Sequence, residues 1–303
     1  MPGRWRPRRQ CLPRLSQPET AALIRGGRRT GSPVLECGGR SFALRINGPD
    51  RKIHAMTEKL LGIDVGGSSI KAGVVDLAAG RLLGELISAP TPRPATPEAM
   101  LPVIAALAAR LPEATGRIGL AFPAVVKHGR ARTAANVDHA WIGADGATLL
   151  RRTLNRPALF LNDADAAGLA EMRLGAGRGA EGTVIMLTFG TGIGTALFTD
   201  GRLFPNTELG HMELNGMDAE KWASAHVKTM QGLDWRGWIE RVNVYLERMH
   251  ALLWPDLFIL GGAISERFAD FQPLLRSEAE IRPAQFAGQA GVIGAALAAA
   301  ELG

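Results

Sequence analysis

The sequence predicts an α/β fold of two lobes that repeat one layout and leave a cleft between them. The first observation is a strand, a glycine-rich turn and a returning strand at residues 59–76. The second is the same order, closed by an Asp-Gly hairpin signal, at residues 183–201. The third is a glycine pair after another buried strand, Gly261-Gly262. Two copies of one pattern in 303 residues indicate a duplicated fold.

The first lobe is expected over residues 57–161. Three strands precede a proline-rich link, and a helix, a strand, a further helix and a strand follow it. This order is typical of a lobe with a mixed sheet. The predicted strands are at 59–65, 70–76, 81–88, 117–122 and 158–161, and the first helix is at 97–111.

The second lobe is expected over residues 162–288. It opens with a helix of small residues, which glycines after Leu174 bring to an end. Strands are predicted at 183–189, 193–199 and 257–260, and amphipathic helices at 219–230 and 235–253. An alanine-rich helix within residues 289–303 is expected to pack back on the first lobe and complete it.

Charge separates the N-terminal residues from the rest of the chain. Residues 1–55 hold 12 Lys or Arg and 3 acidic residues, a balance of +9, and the remainder has a balance of −3. This extension is predicted to be disordered, or to be an artefact of a start codon upstream of Met56. An arm that binds nucleic acid is the alternative, but nucleic acid is not an expected partner of the body.

Cysteine usage and hydropathy exclude further classes. Both cysteines, Cys11 and Cys37, lie in the extension, so the body has neither a disulfide framework nor a cysteine-ligated zinc site. No run of about 18 apolar residues is present, and no apolar segment follows the basic N-terminus as a signal peptide would require. A cytoplasmic protein without a membrane partner is expected.

The first glycine turn carries groups that suit a phosphate. Glycines let backbone N–H groups approach an anion, and a hydroxyl and a cation stand beside them. The predicted phosphate-binding residues are Gly66, Gly67, Ser68 and Lys71. Asp64, at the strand end, could orient a hydrated Mg²⁺ ion. The turn lacks the Gly-Lys-Ser/Thr ending of a Walker loop, and a plain hairpin would also explain two glycines.

The second turn offers glycines and hydroxyl groups like the first, but no charged side chain. Its predicted phosphate-binding residues are Thr188, Gly190, Thr191, Gly192 and Gly194, and Gly261 and Gly262 form a third glycine site. One such turn is weak evidence. Three backbone cradles around one cleft, however, fit a phosphate chain.

Asn162-Asp163 stands where an apolar strand meets a helix. Asn and Asp are common helix caps, and for an isolated pair the cap is the usual explanation. The alternative is that Asp163 acts as a catalytic base. Asp165, two residues on, is predicted to be a first-turn charge that suits the helix dipole, and that dipole is expected to lower the pKa of Asp163.

Four motifs together resemble the ROK sugar kinases of the actin/hexokinase superfamily. They are Asp64-Val65-Gly66-Gly67, Asn162-Asp163-Ala164, Gly190-Thr191-Gly192-Ile193-Gly194 and Glu208-Leu209-Gly210-His211. The segments at 122–129, 133–138 and 205–211 look like the polyphosphate glucokinases of that family. The resemblance spans about residues 58–300 and implies the two-lobed, ribonuclease H-like fold.

The resemblance also implies a reaction. Inorganic polyphosphate, with ATP as a second donor to be tested, would phosphorylate the 6-hydroxyl of glucose in the presence of Mg²⁺. Asp163 would be the catalytic base, and a homodimer would be expected. The implied sugar-binding residues are Asn136, Asn162, Glu208, His211 and Glu220, with Glu213 as a weaker alternative to Glu220.

The chain departs from the usual family pattern at the zinc site. Most members bind zinc through the histidine of Glu-x-Gly-His and three later cysteines, whereas here His211 is followed by none. Zinc is therefore not expected. Polyphosphate as the donor rests on the resemblance, because charge alone favours a solvated basic loop for most of the candidate cations. These are Lys71, Lys127, His128, Arg130, Arg132 and Arg202.

Two other functions compete with this interpretation. An ATP-dependent hexokinase of the same family would act on glucose, mannose or an amino sugar. A sugar-sensing repressor would need a helix-turn-helix before the kinase-like body. Residues 1–55 lack paired amphipathic helices and contain four prolines between Pro7 and Pro33, which disfavours the repressor.

Overall fold

The computed structural model of the protein describes residues 59–301. The predictions about the basic extension and its two cysteines lie outside the described residues. So does the end of the last predicted helix, at residues 302 and 303. Within the described part of the chain, no helix is both long enough and apolar enough to span a membrane.

The first half contains the strands that the apolar runs predict, with small differences at their ends. In chain order its elements are β1 (Lys59–Val65), β2 (Ser69–Asp76), β3 (Arg81–Pro90), α1 (Pro97–Ala109), β4 (Ile118–Phe122), β5 (Val126–Lys127), β6 (Arg130–Ala131), α2 (Gly146–Leu154), β7 (Ala158–Asn162) and α3 (Asp163–Leu174). Five of the strands form a sheet of order β3-β2-β1-β4-β7. The β1–β2 and β2–β3 pairs are antiparallel, and the β1–β4 and β4–β7 pairs are parallel.

The second half repeats this sheet. Its elements are β8 (Thr183–Phe189), β9 (Ile193–Thr199), β10 (Arg202–Phe204), β11 (Glu213–Leu214), β12 (Met217–Asp218), α4 (Ala219–Ala223), α5 (Ala225–Met230), α6 (Trp235–Leu253), β13 (Leu257–Gly261), α7 (Phe268–Phe271), β14 (Glu280–Pro283) and α8 (Ala290–Ala300). The sheet order is β10-β9-β8-β13-β14. Its first three strands are antiparallel and its last two pairs are parallel, as in the first half. The predicted duplication is confirmed.

One predicted helix is two. The segment 219–230 breaks at Ser224, whose backbone is extended with φ −66° and ψ 160°. Its side chain accepts a hydrogen bond from the N–H of Val227 and so caps α5. A serine favours this role because its hydroxyl satisfies an N–H that the first turn leaves free.

Each half has its own apolar core. Phe122, Trp141 and Phe160 pack together under the first sheet, with the Phe122 and Trp141 ring centroids 4.6 Å apart. In the core of the second half, Phe189 and Trp238 pack edge to face at 5.4 Å. Burying one such side chain stabilises the fold by about 2–3 kcal/mol.

Two helices join the halves. α3 follows the last strand of the first sheet and contacts β9 of the second, whereas α8 follows the last strand of the second sheet and contacts β1 and β4 of the first. α3 and α8 also cross each other. Glycines allow the backbones to meet: a side chain at Gly62, Gly119 or Gly294 would overlap a carbonyl of the facing helix. The exact domain boundaries stay a prediction.

Candidate functional site

The tip of β7 and the start of α3 form the centre of the site. Asn162 is the N-cap of α3: its Oδ1 accepts from the N–H of Asp165 at 2.9 Å, and its Nδ2 donates to the carbonyl of Ala124 at 3.1 Å. The cap predicted for the Asn-Asp pair therefore belongs to Asn162. Its predicted contact with the sugar stays a prediction and would use the remaining hydrogen-bonding capacity of the amide.

Asp163 is half-buried, and one of its oxygens accepts from the N–H of Ala164 at 2.8 Å. Burial, followed by the charges of Asp64 and Glu208, raises its pKa to about 7. The prediction that the helix dipole lowers this pKa is wrong, because loss of solvation outweighs the favourable N–H groups of the first turn. A carboxylate with a pKa near neutrality can accept a proton from an alcohol that is being phosphorylated.

The structure brings Asp64 to the same place. It is the penultimate residue of β1 and is half-buried, and burial raises its pKa while the Lys71 ammonium partly offsets the rise. Lys71 is its register partner on β2, and Lys71 Nζ donates to the carbonyl of Gly288 at 3.3 Å. Gly291, in the first turn of α8, packs against the Asp64 carboxylate. The first turn is thus attached to the start of α8.

The first glycine turn is closed by a hydrogen bond from Gly66 N–H to the Ser69 carbonyl at 2.9 Å. Gly67 faces the side chain of Asn136, and its carbonyl accepts from Arg93 at 2.7 Å. Ser68 is exposed. Asn136 therefore lies beside the predicted phosphate-binding turn, and its sugar contact stays a prediction.

The second and third turns lie side by side. Gly190 N–H donates to the Gly192 carbonyl at 3.0 Å, and Gly190 and Thr191 are exposed. Gly262 has φ +87° and packs against the backbone of Phe189, at the end of β8. Two further predicted phosphate-binding glycines, by contrast, are packed against other side chains. Gly194 lies between Thr188 and Ala164, the residue after Asp163, and Gly261 is buried against Met186.

The predicted sugar-binding residues of the second half form one cluster. His211 Nε2 lies 3.9 Å from Glu208 Oε2, and His211 Nδ1 lies 3.8 Å from Glu220 Oε1. Glu220 also accepts from the N–H of Ile193 at 3.4 Å, next to the second turn. Burial raises the pKa of Glu208, partly offset by His211. The alternative residue, Glu213, is exposed on β11.

Asp218 is a member of this cluster that sequence reasoning missed. Its Oδ2 lies 3.7 Å from His211 Nδ1, and it pairs with Lys221 at 2.7 Å. His211, Asp218 and Glu220 offer ligand atoms within 4.8 Å of one another, a spacing that could hold a metal ion. Lys221 already neutralises Asp218, and the set contains no thiolate. The expected absence of zinc stays a prediction.

The candidate donor cations differ in their surroundings. Arg130 donates to the Gly143 carbonyl at 2.9 Å and pairs with Asp145 at 3.7 Å. Its guanidinium therefore already has partners within the first half. Lys71 is half-buried beside Asp64. The other four are exposed: Lys127, His128, Arg132 and Arg202.

Asp165 requires a correction. It lies in the first turn of α3, where the sequence predicts a charge that suits the helix dipole, but it is 3% exposed, and its Oδ2 accepts from the N–H of Asn206 at 2.8 Å. Burial raises its pKa to about 7. The reason is tertiary, since α3 packs against α8 and strands of both sheets, and Asp165 lies on a buried side of its first turn.

Comparisons with known proteins agree with this geometry. The family model described as "ROK family" matches residues 60–226. The chain belongs to the ROK family. Among ROK relatives, the polyphosphate glucokinase of Mycobacterium tuberculosis (strain CDC 1551 / Oshkosh) is 46% identical over 238 residues, covering 78% of this chain and 89% of that protein. The glucokinase of Streptomyces coelicolor is 32% identical over 148 residues, 47% of this chain and 44% of that one.

Solved ROK structures give the same fold. The inorganic polyphosphate/ATP-glucomannokinase of Arthrobacter sp. strain KM superposes with a TM-score of 0.77 at 46% identity, covering 80% of this chain and 98% of that one. A ROK family glucokinase from Streptomyces griseus, in complex with glucose and AMPPNP, superposes with a TM-score of 0.69 at 24% identity, covering 80% and 99%. The ROK chain has the two-lobed actin/hexokinase-like fold.

Proposed function

We propose that this ROK protein transfers a phosphoryl group from inorganic polyphosphate to the 6-hydroxyl of glucose. The observation that carries the proposal is the position of Asp163. Its pKa is raised to about 7, and it lies beside Asp64, the second glycine turn and the Glu208–His211 segment. The names of the relatives from Mycobacterium tuberculosis and Arthrobacter support the choice of donor and acceptor.

Asp163 acts as the general base in this proposal. As the glucose 6-oxygen bonds to the terminal phosphorus, the carboxylate takes the proton of that hydroxyl. The bond between the phosphorus and its bridging oxygen breaks, and polyphosphate shortened by one unit leaves. Phosphoryl transfer depends mainly on position and charge, and a general base contributes about 10²–10⁴-fold in rate.

The donor side is built from backbone. The N–H groups of Gly66 and Gly190 close their own turns, so it is the remaining N–H groups of the two glycine turns that face the phosphates, and Lys71 adds a charge. Asp64 suits a divalent metal, proposed to be Mg²⁺, because it is a half-buried carboxylate beside the carboxylate of Asp163. When bound, such an ion would offset the negative charge that gathers on the phosphates.

The acceptor side is built from side chains. Glu208 and Glu220 accept hydrogen bonds from sugar hydroxyls, and His211 between them can donate one or accept one. Asn162 and Asn136 are proposed to add further contacts. Several polar groups at fixed separations select a polyol and hold its 6-hydroxyl toward Asp163.

A donor and acceptor panel with purified protein tests the proposal. Polyphosphate with glucose is expected to give glucose 6-phosphate, measured by coupled dehydrogenase assay, and ATP and mannose are the next combinations to compare. Product from ATP but none from polyphosphate would favour the ATP-dependent hexokinase instead. The proposed homodimer is checked in the same preparation by light scattering.

A further inference from the structure

Asn206 makes an unusual set of contacts for a loop residue. It lies between β10 and the Glu208–His211 segment, with a backbone φ of +60°. Its side-chain Oδ1 accepts from the N–H of Val126 at 2.6 Å, and its Nδ2 donates to the Val126 carbonyl at 2.9 Å. One amide side chain therefore pairs with both backbone groups of a residue in the other half of the molecule.

Val126 presents these groups because of its hairpin. It opens β5, which pairs with β6 through Ala131. On the opposite edge of β5, Asn206 takes the place of a further strand. The preceding residues are held by the same region, since Asn162 donates to the Ala124 carbonyl. The β5–β6 hairpin is thus fastened at Ala124 by α3 and at Val126 by Asn206.

The carboxylate of Asp165 holds the backbone of Asn206. Its Oδ2 accepts from the Asn206 N–H at 2.8 Å, and the side chain is 3% exposed. Its Oδ1 is also buried and has no hydrogen-bond partner within residues 59–301. A buried carboxylate is costly unless it is hydrogen-bonded, so its place beneath Asn206 calls for a compensating role.

We propose that Asn206 is a positioning residue that links the β5–β6 hairpin to the sugar-binding segment. Its two side-chain hydrogen bonds to Val126, together with the bond from its N–H to Asp165, are called the strap. The inference deepens the proposed function and rests on it for the identity of the sugar. Glu208 follows Asn206 by two residues, so the strap sets where Glu208 and His211 stand relative to Asp163. Asn206 itself contacts none of the reacting atoms in this scheme.

The strap predicts a split between sugar affinity and turnover. Asn206→Ala removes both bonds to Val126 and leaves Asp163 on an unchanged α3. The segment that carries Glu208 and His211 then loses its link to the hairpin and is held by Thr195, which bonds to Thr207 and Leu209. The glucose KM is expected to rise about tenfold, with kcat altered less than about threefold. Asp165→Ala should act in the same direction. Asp165→Asn retains an acceptor for the Asn206 N–H and should restore most of the affinity.

Asn243 provides a matched control in the second half. It is 6% exposed, donates to the Leu274 carbonyl at 2.9 Å and accepts from the Arg276 N–H at 2.8 Å. Asn243→Ala thus removes two similar backbone contacts on α6. It should lower the melting temperature as Asn206→Ala does, while the glucose KM stays at the wild-type value.

Hydrogen exchange and calorimetry with the full chain decide the outcome. In the sugar-free wild type the Val126 amide should be protected, and Asn206→Ala should lose that protection and bind glucose about tenfold more weakly. Equal glucose affinities for Asn206→Ala and Asn243→Ala would overturn the proposal, as would a rapidly exchanging Val126 amide in the wild type. Glucose binding without product from polyphosphate would refute the proposed donor and leave the strap supported.

Discussion

The two halves share a sheet but differ in charge at corresponding points. In the first half, Asp64 on β1 faces Lys71 on β2 across the turn. In the second half, the register places Thr188 on β8 opposite Gly194 on β9. After the last strand of the first sheet comes Asp163, whereas α8, after the last strand of the second, begins with Ala290-Gly291.

This difference separates two tasks on one scaffold. The first half supplies carboxylates that can hold a cation and accept a proton, and the second supplies a neutral turn and the proposed sugar-binding segment from Glu208 to Glu220. Carboxylates at both turns would repel a phosphate chain. A neutral turn lets the donor approach through backbone N–H groups alone. The duplication therefore brings unlike chemistry to the two sides of one cleft.

Among the substitutions that test this difference between the halves, removing the carboxylate after β7 should have the largest effect. Asp163→Asn eliminates the base, and kcat for glucose phosphorylation should fall by about 10³-fold, while glucose binding, followed by tryptophan fluorescence, remains. Asp234→Asn, at the N-cap of α6, changes another carboxylate at a helix start, outside the site, and should leave kcat intact. Near-normal turnover in Asp163→Asn would refute the role of base.

The pH profile tests the same carboxylate without a substitution. Because the base must be ionised and its pKa is raised to about 7, kcat/KM should rise about tenfold per pH unit below 7 and level off above it. Rates between pH 5.5 and 8.5 measure this. A profile that is flat down to pH 5.5 would contradict the raised pKa.

The sign of the stability effect follows from the same shift. The folded state holds the Asp163 proton more tightly than the unfolded state, whose pKa is near 3.8. The stability present below pH 3.8 is therefore lost as the pH rises toward 7. Asp163→Asn should consequently melt at a higher temperature than the wild type at pH 8, and the difference should shrink at pH 5.

Substitutions at two glycines of the neutral turn test, with smaller expected effects, whether this turn serves the donor and the sugar separately. A side chain at Gly192 would overlap Glu220, so Gly192→Ala should raise the glucose KM, by about tenfold. Around Gly190 no described atom beyond its two chain neighbours lies within 4 Å of an added Cβ. Gly190→Ala should keep the melting temperature and the glucose KM but raise the polyphosphate KM about threefold. Identical kinetics in the two variants would mean that the turn does not separate donor from sugar.

Much of the fold could be predicted because local signals agree with the tertiary structure. Apolar runs bounded by glycine turns mark β1, β2, β8 and β9, and Asp200-Gly201 forms the turn between β9 and β10. β14 was missed, since Glu280-Ile281-Arg282-Pro283 at the sheet edge has no sustained apolar pattern. The break at Ser224 was missed because the flanking sequence is helical in composition.

The sequence predicts which residues are neighbours in the site better than it predicts their pKa values. Glu208, His211 and Glu220 are neighbours as their motifs imply. The raised pKa of Asp163, however, comes first from burial and then from the charge of Asp64, which the β1–β4–β7 arrangement brings near. Asp165 and Asn206 carry no local signal of their contact, because an Asp in the first turn of a helix is ordinarily exposed. For Asp163 and Asp165 alike, burial by elements distant in the sequence raises the pKa.

The glycines under α8 have a consequence for synthesis. β1 and β4 leave the ribosome early, yet Gly62 and Gly119 meet their packing partners, Val292 and Ala295, only when α8 has been made. The first sheet therefore keeps one apolar face uncovered through translation of the second half. Such non-local closure slows folding and exposes nascent chains to aggregation. A chain lacking α8 should accordingly depend on chaperones even though all ten strands of its two main sheets are complete.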